Sequence, residues 1–211
     1  MNNHKNVILA IESAICGGSI SLLENGVEVA NWIGSSNVSK AEDLLVNIDA
    51  ILTSTNISRR DIDLIAVSAG PGSFTGIRIG LATALGFKAG LGIGMASESA
   101  LKAMVWNKPA SRSLIAALPV GRNSICLQKF QILDREVVNI NEPHTLSDDA
   151  FFEFLSNAID TEFILHEFLY ERSDATSLIT NFGTNMAFAI GSICAEHPGH
   201  LAQPLFISKR A

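Results

Sequence analysis

Between residues 61 and 92 the chain passes from a β-forming run through two glycines and a proline into a glycine-punctuated helix, an order that few folds accommodate. Asp61-Ile62-Asp63-Leu64-Ile65-Ala66-Val67-Ser68 is a short, nearly continuous apolar run and predicts a buried strand. Gly70-Pro71-Gly72-Ser73-Phe74-Thr75-Gly76 follows, with Pro71 stiffening a turn and the glycines admitting positive φ or close backbone approach. Ser73 or Thr75 is placed to cap a helix extending to about Gly90, and the first amides of such a helix also suit an anion. The turn is not a Walker loop, because no Gly-Lys-Ser/Thr follows it. It is not the dinucleotide fingerprint either: the spacing is G-x-G-x-x-x-G, and the next expected strand, Gly92–Met95, ends without an acid. A phosphate cradle and a purely structural strand-to-helix turn both fit.

Each glycine inside the following helix (Gly76, Gly80, Gly86, Gly90) costs ~1 kcal/mol relative to alanine, so something must offset it. Gly76, Gly80 and Ala84 stand at i, i+4, i+8 and form a smooth ridge that admits close approach of another backbone. That ridge serves either tight packing onto the protein's own sheet or a helix–helix seam with another subunit.

Upstream, Asn6–Ile11 is a short strand ending at Glu12-Ser13, and Gly17–Leu23 alternates as a half-buried strand does. Asn25-Gly26 is a strong type I′ hairpin signal, and Val27–Ile33 returns from it. Ser39 with Glu42 has capping-box spacing, and Ala41, Leu44, Leu45, Ile48, Ile51 and Leu52 make one apolar helical stripe. An antiparallel meander feeding a parallel strand predicts an α/β chain of the ribonuclease H-like and actin-like group. Lys108-Pro109-Ala110-Ser111 is the expected lobe boundary, dividing the chain into lobes 1–107 and 108–211. The second holds expected strands at Ser113–Leu118, Ser124–Leu133 and Glu136–Ile140, a helix capped by Ser147, and a last helix over Gly183–Glu196.

Composition narrows the function. The 211 residues are 47% hydrophobic and 17% charged, enough for a sizeable core and against extended disorder. Fifteen Lys and Arg against twenty-one Asp and Glu give a net charge of −6, so any nucleic acid would be gripped by another subunit. Cys16, Cys126 and Cys194 show no CxxC spacing and read as reduced thiols of a cytoplasmic protein. The first apolar run is cut by Glu12 and the Gly76–Ala96 stretch by Arg78 and Lys88, which argues against a signal peptide and a membrane span. His197-Pro198-Gly199-His200 lacks a third metal ligand, and His166 near Glu162 and Glu167 reads as a surface group. Ser73 lacks the Gly-x-Ser-x-Gly pattern of a nucleophile elbow. Glu12 alone does not make a nuclease site, since two-metal chemistry needs several converging carboxylates.

The string Gly70 to Gly80, its preceding strand and the opening Val7-Ile8-Leu9-Ala10-Ile11-Glu12-Ser13 resemble the TsaB (YeaZ) family of bacterial tRNA threonylcarbamoyladenosine biosynthesis proteins. The resemblance covers roughly residues 6 to 100. It implies an actin-like, two-lobed fold and a non-catalytic subunit that supports the transferase TsaD, joined by the ATPase TsaE, with no cofactor of its own. It also implies that the helices near Lys40–Ser54 and Thr75–Gly90 dock against TsaD or a second copy, with Leu44, Leu45, Ile48, Gly76, Gly80 and Ala84 at the interface. The turn Gly70, Pro71, Gly72, Ser73, Phe74, Thr75 and Gly76, with Arg78, is the remaining site expected, as an anion or nucleotide contact. A TsaD-like metal site is not expected, because no histidine lies between His4 and His144. The family commonly has Asp-Thr where this chain has Glu12-Ser13, a histidine near Lys40-Ala41-Glu42, and Asp-Ala-Arg where Pro119-Val120-Gly121-Arg122 stands. Its usual Pro-x-Tyr-Leu-Arg is matched here only by Pro204-Leu205-Phe206-Ile207-Ser208. The alternative is an ATP-binding actin-like kinase or ATPase, or a glycoprotease-like hydrolase.

Overall fold

The computed structural model describes residues 5–15, 17–34, 43–109, 111–134, 136–174, 178–183 and 185–205. The chain forms two compact units, one of residues 1–100 with 184–211 and one of residues 101–183.

In the first unit β1 (Val7–Glu12), β2 (Ser19–Glu24) and β3 (Val27–Ile33) form the expected antiparallel meander. Asn25 and Gly26 turn it with φ of 53° and 80°, the left-handed pair a type I′ hairpin requires. Helix α1 (Leu44–Thr55) ends on Asn56 in the left-handed conformation, and its Ser39–Glu42 cap lies outside the described residues. Strand β4 (Leu64–Ser68) pairs parallel with β1. Helix α2 (Phe74–Leu91) then leads to β5 (Gly94–Glu98), parallel with β4. The sheet order is β3-β2-β1-β4-β5. The fifth strand lies further along than expected and does end on an acid, Glu98.

The second unit opens with α3 (Ala100–Val105) and a β-hairpin of β6 (Ser111–Gly121) and β7 (Ser124–Leu133). Strands β8 (Glu136–Asn139) and β9 (His144–Leu146) both pair with β7. Helix α4 (Asp148–Asn157) is capped by Ser147, whose hydroxyl accepts from the Ala150 amide. Then come β10 (Glu162–Leu165), the short α5 (Glu167–Tyr170) and β11 (Ile179–Asn181). His166 caps α5, and burial lowers its pKa. Phe151, Phe163, Leu127 and Leu165 pack at the centre of this unit.

Helix α6 (Met186–Glu196) belongs to the first unit, so the expected boundary at 107/108 does not divide the chain into two contiguous lobes. The reason is its surface. Met186, Ala187, Ala189, Ile190, Gly191, Ile193 and Cys194 are all buried, and the helix lies on the β1–β2 sheet face. A Cβ at Gly191 would sit 2.8 Å from a Leu23 methyl and 2.9 Å from the Ala10 methyl. Polar anchors fix its first turn. The Ala187 amide bonds to the Ser19 hydroxyl at 3.1 Å, and the Asn185 amide group reaches the Ile20 carbonyl at 3.3 Å and Glu28 at 3.2 Å. Cys126 and Cys194 are buried free thiols, and burial pushes the Cys126 pKa up to about 12, so that thiol is unreactive. Among the described residues no helix is long and apolar enough to cross a membrane.

Candidate functional site

The site is built where β1 and β4 end side by side. Glu12, the last residue of β1, is buried, and its Oε1 accepts from the amides of Ala14 at 2.5 Å and Ile15 at 2.9 Å. That carboxyl folds the chain into a tight loop. Burial pushes its pKa up to about 7, although the two amides pull it the other way. The loop is pressed against the turn that follows β4. Ser73 donates its amide to the Ala14 carbonyl at 2.7 Å, and the Ser13 hydroxyl donates to the Gly76 carbonyl at 2.8 Å.

The glycines are explained by this contact. A Cβ at Gly72 would lie 2.4 Å from the Ala14 carbonyl oxygen, one at Gly76 2.0 Å from the Ser13 carbonyl oxygen, and one at Gly80 2.4 Å from the Ser13 hydroxyl. The backbone admitted by the Gly76–Gly80–Ala84 ridge is therefore the protein's own. Gly76, Gly80 and Ala84 are buried, and Leu44 and Ile48 lie in the core between α1 and the sheet. Those five were expected at a partner interface. Here they are buried inside this unit, because α1 and α2 turn the same faces to their own sheet.

Leu45 differs. It is 57% exposed, one residue round the helix from Leu44. With Asp49 and Arg59 it lines a groove of about 620 Å³ whose other wall is Ala82, Thr83, Gly86, Phe87, Gly90 and Leu91 of α2. Nothing stands within 4 Å of where a Cβ of Gly86 or Gly90 would be. Ala82, Gly86 and Gly90 thus form a second small-residue ridge, about 120° round the helix from the first at ~100° per residue. The i, i+4, i+8 spacing of this outer ridge was present in the sequence; only its direction was not. Arg59 closes one end, its guanidinium 2.5 Å from Asp49 Oδ1.

The remaining expected residues divide by position. Gly70, Pro71 and Gly72 are buried, and the Gly70–Pro71 peptide is cis. Ser73 caps α2, its hydroxyl accepting from the Gly76 amide at 3.2 Å, and Thr75 is exposed beside it. Phe74 is 48% exposed and carries the Arg78 guanidinium over its ring at 3.7 Å. With the Ser73 amide held by Ala14 and the Gly76 amide by Ser73, part of the donor set that an anion would use is already engaged. Among the described residues no group of three or more His, Cys, Asp or Glu is arranged to hold a metal.

Known proteins share this architecture. The family model described as "TsaD: tRNA N6-adenosine threonylcarbamoyltransferase" matches residues 37–154, more than half of the chain. The "tRNA threonylcarbamoyladenosine biosynthesis protein TsaB" of Escherichia coli K12 is 31% identical over 127 residues, covering 59% of this chain and 54% of that protein. The TsaB of Buchnera aphidicola is 33% identical over 122 residues, covering 56% of this chain and 55% of its own. The chain thus spans about half the length of the curated relatives it matches. The solved structure of YeaZ from Pseudomonas aeruginosa superposes with a TM-score of 0.66 at 17% identity, covering 90% of this chain and 91% of that one, and shows the same fold. On the family match and on these relatives, the chain belongs to the TsaD family, as a member of its TsaB (YeaZ) group.

Proposed function

We propose that this protein is a non-catalytic subunit in the biosynthesis of threonylcarbamoyladenosine in tRNA, and that it docks a TsaD-type transferase on the outer face of α1 and α2. One observation carries the reading: the groove between these helices is open and largely apolar apart from the Arg59–Asp49 pair at one end, and Gly86 and Gly90 on its α2 wall leave room for another backbone. Leu45, Val46, Phe74 and Leu85 are exposed on the same pair of helices, a concentration of apolar surface that a partner would cover. The names of the TsaB relatives support the pathway. Glu12 supports the non-catalytic part, because its carboxyl is committed to two backbone amides of its own loop.

In this reading the turn Gly70–Gly76 is a fulcrum. It pins α2 to the Glu12 loop from inside, and thereby aims Phe74, Arg78 and the outer ridge at the partner. A second copy takes the same face when the transferase is absent. The ATPase TsaE joins the assembled pair, and tRNA is reached through the complex, in keeping with a net charge of −6. The test is co-purification with TsaD from the same cell, followed by reconstitution of the modification. Capture of TsaD, with loss of the modified nucleoside when this protein is withheld, is the expected result. No capture, with the nucleoside intact, overturns the reading.

A further inference from the structure

The segment after α6 runs back across the end of β5 to the turn that opens the site. Leu201 forms a parallel bridge with Ser97. Ser97 donates its amide to the His200 carbonyl at 2.8 Å and its hydroxyl to the Ala202 carbonyl at 3.3 Å, and the Ala202 amide returns to the Ser97 carbonyl at 3.2 Å. Three residues on, the Leu205 amide donates to the Ala69 carbonyl at 2.9 Å. The Leu205 carbonyl oxygen lies 3.2 Å from where a Cβ of Gly70 would be. His200 Nε2 stands 3.9 Å from the buried Glu98 carboxyl.

Attachment is almost wholly through backbone. Leu201 is 55% exposed, and Gln203 and Pro204 are exposed, so little apolar area holds the segment down. Segments of that kind sit at the low end of local stability and open ahead of the core. Yet this one bonds directly to the residue before Gly70, and the far side of the same turn carries the cap of α2.

We propose that His200–Leu205 is a detachable strap that holds the signature turn, so that its release loosens Ala69–Gly70 and the start of α2. Its consequence for a docked partner rests on reading the α1–α2 face as the docking face; the local effect on the turn does not.

Amide hydrogen exchange tests it, with Ala202→Pro and Leu205→Pro each removing one strap donor and Gln203→Ala as the control. In the double proline variant, exchange at Ala69 and Gly70 is expected to rise by about ten-fold or more, as loss of two hydrogen bonds implies, with the β1 and β2 amides unchanged. Unchanged protection at Ala69 and Gly70 overturns the proposal. If the double variant does not fold, the unsubstituted protein decides. Ala69 and Gly70 are expected to open with the same free energy as Ala202 and Leu205; opening of the turn only with the core, while the strap opens early, overturns it. TsaD capture by the same variants separates the two readings. Loosened turns with capture absent in every form, including the unsubstituted one, leave the strap standing and remove the docking face.

Discussion

Glu12→Gln isolates the least comfortable group in the first unit. The Glu12 carboxyl is 2% exposed and its pKa stands at about 7 against 4.5 for a free glutamate, chiefly because burial disfavours its charge. The folded protein therefore holds that proton more tightly than the unfolded chain, by about 3 kcal/mol. The sign follows: with the folded pKa raised, this contribution is complete below pH 4.5 and is lost as pH rises through 7. About 1.4 kcal/mol of it disappears between pH 6 and pH 8.5, a range that avoids precipitation near the isoelectric point. Glutamine keeps an oxygen for the Ala14 and Ile15 amides but carries no titrating proton. Urea denaturation of both proteins at pH 6 and pH 8.5 cancels every other titrating group. The variant is expected to gain about 1.4 kcal/mol on the unsubstituted protein across that interval. A difference constant to within about 0.3 kcal/mol would refute the claim that burial raises the pKa of this carboxyl.

Other substitutions separate the two ridges and the last helix. Gly76→Ala drives a methyl into the Ser13 carbonyl and should cost about 3 kcal/mol or more, read as a lower urea midpoint or as insoluble protein. Gly86→Ala and Gly90→Ala meet open space and should each stabilise by about 0.5–1 kcal/mol, read as a higher midpoint; equal effects at both ridges would contradict the assignment of inner and outer faces. Asn185→Ala removes the cap of α6 and its bond to Glu28, and should cost about 1 kcal/mol, with the loss of protection concentrated in α6 amides.

Local chemistry made much of this fold legible. Asn25-Gly26 fixed the hairpin, the apolar run before Gly70 fixed β4, and the glycine spacing showed that a backbone comes close to α2. Spacing along one helix does not say whose backbone it is. Ser13 and Ala14 lie some sixty residues upstream, and only the pairing of β1 with β4 brings them there. Helix α6 was legible as a helix but not as part of the first unit, because a helix apolar on nearly every side has no stripe to point at its sheet. Strands β10 and β11, with four and three residues, are too short to carry a period, and their parallel pairing is set by neighbours far off in sequence. Leu45 was read with Leu44 as one stripe, yet about 100° of helical rotation puts one in the groove and the other in the core.

Binding of the purified TsaD transferase to Gly86→Leu, beside the unsubstituted protein and Gly80→Leu, tests the docking face most directly. Gly86 has no neighbour within 4 Å, so leucine there leaves the unit intact and blocks the groove. The account predicts a urea midpoint no lower than that of the unsubstituted protein with affinity lowered at least about ten-fold, and instability rather than selective loss of binding for Gly80→Leu. Full affinity in a folded Gly86→Leu protein would contradict it.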